Sequence, residues 1–153
     1  MGNICRSPTA HALFREAVTA AGLDDEITTD SAGTHAYHIG NPPDARATAT
    51  ALERDIDMTD LRARQVREAD FEQFDYVVAM DRDNLALLEA SCPPEARDRL
   101  SLMLDWAEDW GDEVPDPYYG GDEGFIRVFD MLTAASQGLL AHIASSHGLA
   151  GRS

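Results

Sequence analysis

Met1-Gly2-Asn3-Ile4-Cys5-Arg6-Ser7-Pro8-Thr9 reads as a short loop running straight into a helix. Ser7 is a good N-cap, Pro8 suits the first helical position, and Ala10 to Ala21 carries apolar residues at Leu13, Phe14, Ala17, Val18 and Ala21. The loop therefore sits on a helix N-terminus, where unpaired backbone N–H groups and the positive end of the helix dipole favour an anion. Gly2 lets the backbone turn tightly, and Arg6 adds a planar fork of donors suited to a phosphate or another oxyanion. Helix signals alone fit an ordinary capped helix with an exposed Arg equally well.

Working outward, Gly22 is a C-cap signal and Glu26 to Asp30 has the β-branched content of a strand, followed by the loop Ser31-Ala32-Gly33-Thr34. His35 and His38 flank Tyr37 in a loop. No acidic or thiol partner is spaced to complete a metal site with the two histidines, so no metal is expected. Asp44 caps a helix to Arg54, and Phe74 to Asp81 reads as a short buried strand. A helix opens at Asp83 and ends near Ser91, and Arg99 to Leu104 is the last predicted strand. Cys92 reads as a small buried residue, Trp106 and Trp110 as partial packing anchors. Pro115 and Pro117 stiffen the loop from Glu113 to Gly121. Phe125 to Ile143 has the apolar stripe of a long core helix, and the tail from Ala144 to Ser153 is predicted to fray. Alternating strands and helices predict one α/β domain over residues 1–153, with a mostly parallel central sheet flanked by helices on both sides.

The chain has 153 residues, 44% of them hydrophobic, which suits one compact core. No long apolar run and no signal-peptide pattern are present, so a cytoplasmic protein without a membrane partner is expected. Two cysteines, Cys5 and Cys92, fit a reducing compartment. A net charge of -16 argues against a nucleic-acid partner. All 12 basic residues are Arg, which fits adaptation to high salt and genomic base bias alike.

Gly2 to Thr9, Asp30-Ser31-Ala32-Gly33-Thr34, the Ala63-Arg64-Gln65 stretch through Asp70-Phe71, and Asp116-Pro117-Tyr118-Tyr119 occur in the order found in another group of proteins. Together they resemble the low-molecular-weight protein tyrosine phosphatases, whose phosphate loop is Cys, five residues, Arg, then Ser or Thr. Counting back from Arg6, the nucleophilic Cys would fall just before Met1, and the first strand would be missing from this chain with it. The resemblance implies a protein that begins upstream of Met1. Cys5 matches the family's second loop cysteine, and Leu61 stands where members often carry a His.

By the same resemblance, Arg6 binds the phosphoryl oxygens and Asp116 is the general acid, then the base for the water that hydrolyses a phosphocysteine. Met1, Gly2, Asn3, Ile4, Cys5 and Ser7 would cradle the phosphate, Ser7 also donating to the thiolate. Tyr118 and Tyr119 would flank an aromatic ring, with Tyr37 at the cleft edge. The implied substrate is a phosphotyrosine protein or a small aryl phosphate, with no cofactor. Two alternatives stay open: a phosphate-binding protein without turnover, should Met1 be the true start, and a thiol-dependent arsenate reductase on the same fold.

Overall fold

The computed structural model describes residues 6–33, 39–108, 110–111, 113–115 and 122–149. Two parallel strands, β1 (Val77–Ala79) and β2 (Leu100–Leu102), pair in the register Val77 with Leu100 and Ala79 with Leu102. Helices cover both faces. On one lie α1 (Arg6–Ala20), α2 (Ala45–Leu52) and α5 (Asp122–Ser146); on the other lie α3 (Glu68–Gln73) and α4 (Arg82–Ser91). The pleat sorts the side chains. Val77 and Ala79 pack with Phe71, Leu88 and Cys92, while Val78 and Met80 face the larger core of Leu13, Leu104, Phe129 and Leu132. This is the α/β arrangement with a parallel sheet that the alternating pattern predicts.

Local signals explain the helix ends. Gly22 adopts φ +74, and the Gly22 N–H to Thr19 and Leu23 N–H to Val18 bonds, both 3.0 Å, close α1. Val18 and Leu23 then meet in one apolar cluster, so the cap is also a packing contact. Asp44 Oδ1 caps α2 by accepting from Arg46 N–H at 2.8 Å and Ala47 N–H at 3.3 Å.

Three expectations are corrected and one helix, α3, is additional to the predicted elements. Helix α1 already begins at Arg6, so Ser7 lies inside its first turn and is not the N-cap; Pro8 is tolerated there because first-turn N–H groups have no intrahelical partner. Glu26 to Asp30 forms no ladder among the described residues: the sheet has two strands, and the first bridge in this stretch is Gly33 with Gln65. β-Branched content favours extended backbone, but a ladder also needs a neighbouring edge. The six-residue α3 has too few turns for a periodic signal; it is held by Asp70 accepting from Arg67 N–H at 2.8 Å. Finally, α5 runs on to Ser146 and Leu149 N–H donates to Ala144 O at 2.9 Å, so the tail predicted to fray is held as far as Leu149, and residues 150–153 lie outside the described residues.

Helix α5 passes close over the 3-10 turn Met103–Trp106 at Gly138, where a Cβ would collide with the backbone carbonyl of Trp106. Alanine is the better helix former by about 1 kcal/mol. Gly138→Ala should nevertheless lower stability by about 1–3 kcal/mol, because backbone on both sides must move. Urea unfolding checks this, and a gain in stability would contradict the close approach.

Candidate active site

Arg6 opens α1 with only 4% of its surface exposed. A guanidinium is buried at tolerable cost only with charged and polar partners, and both are present. Nη1 donates to Asp81 Oδ2 at 2.7 Å and to the Val114 carbonyl at 2.8 Å. Asp81 lies two residues beyond the end of β1 and caps α4, its Oδ1 accepting from Asn84 N–H at 2.8 Å. Burial opposes the Asp81 carboxylate, but the hydrogen bonds from Arg6 and Asn84 N–H outweigh it and hold the carboxyl below the usual range. Val114, fully buried, donates its N–H to Met80 O at 2.8 Å.

The start of α1, the end of β1 and the chain leading to Asp116 thus meet at one guanidinium. Beside them Asp81, Glu113, Pro115 and Arg127 line an open hollow of about 470 Å³. Asp116, Tyr118 and Tyr119 lie outside the described residues, as do Met1, Gly2, Asn3, Ile4 and Cys5, and the loop residues His35, Tyr37 and His38.

A second polar group forms where α1 faces the Ser31 loop. His11 Nδ1 and Ser31 Oγ share a hydrogen bond at 3.0 Å, and the ring also meets the Thr29 backbone. Burial, aided by the nearby Arg15, lowers the His11 pKa, so the ring is neutral at pH 7 and has one donor and one acceptor nitrogen. Leu61, which stands at the His position of the resemblance, is buried with Met58 and Leu13 in the main core. Its side chain is part of the packing. The sequence alone does not single out His11: with Ser7 and Arg15 four residues to either side it reads as part of a polar helix face, and only the position of Ser31 gives it a partner.

Two of the four ordered segments join behind this group. Gly33 N–H donates to Arg64 O at 2.8 Å, and Val66 N–H returns a bond to Gly33 O at 2.9 Å. Arg64 reaches Asp70 through Nη1 at 2.9 Å and Nη2 at 3.1 Å, and Asp30 through Nη2 at 3.1 Å. Desolvation disfavours the buried Asp70 carboxylate, but Arg64 and the Arg67 N–H reverse the balance and lower its pKa. Ser7 is half-buried on α1 along the same cleft that Ser31 lines. The structure thus joins Arg6 to the chain that leads to Asp116, and, as a separate group, the Ser31 loop to His11 and to the Arg64 segment. Among the described residues no group of three or more His, Cys, Asp or Glu side chains is placed to hold a metal. None of the described helices is long and apolar enough to cross a membrane.

Comparison with known proteins places this geometry. A family profile described as low molecular weight phosphotyrosine protein phosphatase matches residues 1–148. The low-molecular-weight protein-tyrosine-phosphatase of Streptomyces coelicolor is 44% identical over 146 residues, 93% of this chain and 88% of that protein. Among solved structures, a protein tyrosine phosphatase from Entamoeba histolytica with Hepes in the active site aligns with a TM-score of 0.90 at 39% identity, covering 97% of this chain and 94% of that one. YfkJ from Bacillus subtilis aligns at 0.89 and 38%, covering 95% and 91%.

The Arg64–Asp70 pair sets a pH dependence. The Asp70 carboxyl has a folded pKa below its unfolded value of about 3.9, so its stabilisation is present above that value and is lost as pH falls through the folded pKa. Asp70→Asn should cost about 2 kcal/mol at pH 6, on the low side for a buried pair because Arg64 keeps 26% of its side chain exposed. Denaturant titrations at several pH values should show the difference from wild type shrinking below about pH 4. A difference that stays constant with pH would show that the carboxylate charge is not what stabilises.

Proposed function

The chain belongs to the low-molecular-weight phosphotyrosine protein phosphatase family, and on that premise we propose that it hydrolyses aryl phosphate monoesters, phosphotyrosine of proteins first among them, through a cysteinyl phosphate. The nucleophile in this reading is a Cys directly preceding Met1, separated from Arg6 by the five residues Met1 to Cys5. Its thiolate, stabilised by the helix N-terminus and the guanidinium, attacks phosphorus as the aryl oxygen leaves with the Asp116 proton. Asp116, now a carboxylate, takes a proton from water. The water oxygen displaces sulfur from phosphorus, releasing phosphate and restoring the thiolate.

Loop N–H groups from Met1 to Ser7, with Arg6, follow the charge on the phosphoryl oxygens. Tyr118 and Tyr119 flank the substrate ring as apolar walls with polar tips. The reaction is complete with these groups and needs no metal or cofactor. A reducing cytoplasm suits the thiolate, and the -16 net charge disfavours nucleic acid as substrate.

The observation that carries this reading is the buried Arg6 bonded to Val114, which ties the phosphate-loop Arg to the chain two residues before Asp116. Against the arsenate reductase reading stands Cys92. A relay thiol must be reached by a second thiol, and Cys92 is 5% exposed, with its Sγ–H directed at Pro93 O.

The test is steady-state hydrolysis of p-nitrophenyl phosphate by the chain extended upstream with Cys before Met1. The extended protein should turn over, and the 153-residue chain should not. Asp116→Asn should lower kcat about 10²–10³-fold, more with phenyl phosphate, whose leaving group needs the proton more. Arg6→Lys should cost about 10²–10³-fold, since an ammonium cannot reproduce the fork. Equal rates with and without the upstream Cys would overturn the assigned nucleophile.

A further inference from the structure

His11 is a half-buried titratable side chain that the proposed reaction does not use. It lies one turn along α1 from Ser7, on the same helix face, and Ser7, His11 and Ser31 line the same cleft. Residues 27–31 climb alongside α1 toward its start. Ile27 packs in the cluster of Val18 and Leu23, at the far end of the helix, whereas Ser31 meets His11 in its first half. This direction carries the chain toward the end of α1 at which the proposed phosphate loop enters.

Ser31 is braced from two sides. Its N–H donates to Asp30 Oδ1 at 2.8 Å, and Arg64 holds the other oxygen of that carboxylate through Nε at 3.2 Å and Nη2 at 3.1 Å. This brace fixes the backbone. The hydroxyl is fixed by His11, whose Nδ1 lies 3.0 Å from Ser31 Oγ. A hydroxyl has one proton and two lone pairs, and it rotates until a partner claims one or the other. The Thr29 backbone favours an N–H on the ring, which leaves Nδ1 of the neutral imidazole as an acceptor. Ser31 then gives its only proton to Nδ1 and keeps its lone pairs for its remaining neighbours. We propose that His11 is a positioning residue of the active site, which holds the Ser31 oxygen as a hydrogen-bond acceptor toward the N–H groups of the phosphate loop. The inference rests on the reading of Met1 to Ser7 as that loop. Donors that follow the phosphoryl charge work only when their directions are set before the substrate arrives. A Ser31 lone pair steadies the loop by accepting from it, whereas a proton turned the same way would oppose it, donor against donor.

A charged ring reverses the arrangement. With protons on both nitrogens, the imidazolium donates to Ser31 Oγ and the Ser31 proton turns away from the ring. Burial does most to keep the ring neutral, and Arg15 on the same helix adds to it. Asp30 beside Ser31 and Asp60 ahead of Leu61 pull the other way, but each is engaged by an arginine, Arg64 and Arg15. The pKa of His11 therefore lies below its ordinary 6.5. The acceptor state is present at neutral pH and is lost as pH falls through the lowered value.

Two variants separate this role from simple packing. His11→Asn keeps a carbonyl oxygen near the place of Nδ1 and does not titrate, while His11→Phe keeps a ring without nitrogens. Both are assayed in the chain extended with the upstream Cys, on p-nitrophenyl phosphate from pH 5 to 8. His11→Phe should lower kcat/KM about 10–100-fold at pH 7. Ser31→Ala should do the same, and the double variant should be no worse than either single one, because the two residues act as a unit. His11→Asn should stay within about 3-fold of the unsubstituted protein at pH 7 and keep a larger share of that rate at pH 5, having lost one titration. His11→Phe within 2-fold of the unsubstituted protein, losses that multiply in the double variant, or an unchanged acid limb in His11→Asn would each overturn the proposal. Nitrogen NMR of the 153-residue chain gives a check without catalysis: at pH 7 the ring should carry one proton, on Nε2, and a proton on Nδ1 would also overturn it. Absence of turnover in the unsubstituted extended protein would sink the phosphatase chemistry alone. Inorganic phosphate then decides the inference: its affinity for the 153-residue chain should fall about 10-fold in His11→Phe and less than about 3-fold in His11→Asn, and equal affinities would overturn it.

Discussion

A buried guanidinium constrains its surroundings more than any apolar side chain can. Arg6 is nearly inaccessible, so its charge has to be met by groups whose own positions are secured. Asp81 is secured by capping α4, and Val114 by its bond to the end of β1. Each partner belongs to a different element, so the one ion pair sets the height of α1 against the sheet and fixes where the loop toward Asp116 departs. Losing either side would strand a charge in the core. The remaining architecture can be read as what keeps these three elements in reach: the apolar seam of α1 and α5, and the short parallel pair β1 and β2.

The same economy governs the other arginines. Against a net charge of -16, most described arginines are held by specific acids or carbonyls. Arg64 joins Asp30 and Asp70, Arg15 joins Asp60, and Arg54 joins Asp130 while lying 4.5 Å over the Phe129 ring. These pairs differ in worth. The exposed ones contribute little, whereas Arg64 ties the Ser31 loop, the Gln65 segment and α3 into one unit through a nearly buried carboxylate. A planar fork can serve two acids and a backbone at once, a geometry that an ammonium does not supply. An all-Arg composition is thereby put to structural use, whatever its origin.

Polar support for the Ser31 loop also comes from an unexpected side. The position where the resemblance leads one to expect a His is Leu61, a core residue, and the imidazole beside Ser31 belongs to His11 on α1. Held neutral by burial, that ring couples helix and loop by hydrogen bonding without adding a charge to the first half of α1.

What the sequence determined by itself is local or carried in ordered motifs. The Gly22 and Asp44 caps, the core stripe of α5 and the burial of Cys92 follow from residue type at close spacing, because a cap or a helical face is settled within one or two turns. The four ordered segments likewise carry the family resemblance in the sequence alone. Tertiary structure decided what depends on partners far away in the chain: Arg6 with Asp81, His11 with Ser31, and whether Glu26 to Asp30 becomes a strand. A strand is a property of two paired edges, and a buried ion pair a property of two elements. Neither is encoded in the stretch that contains one half of it.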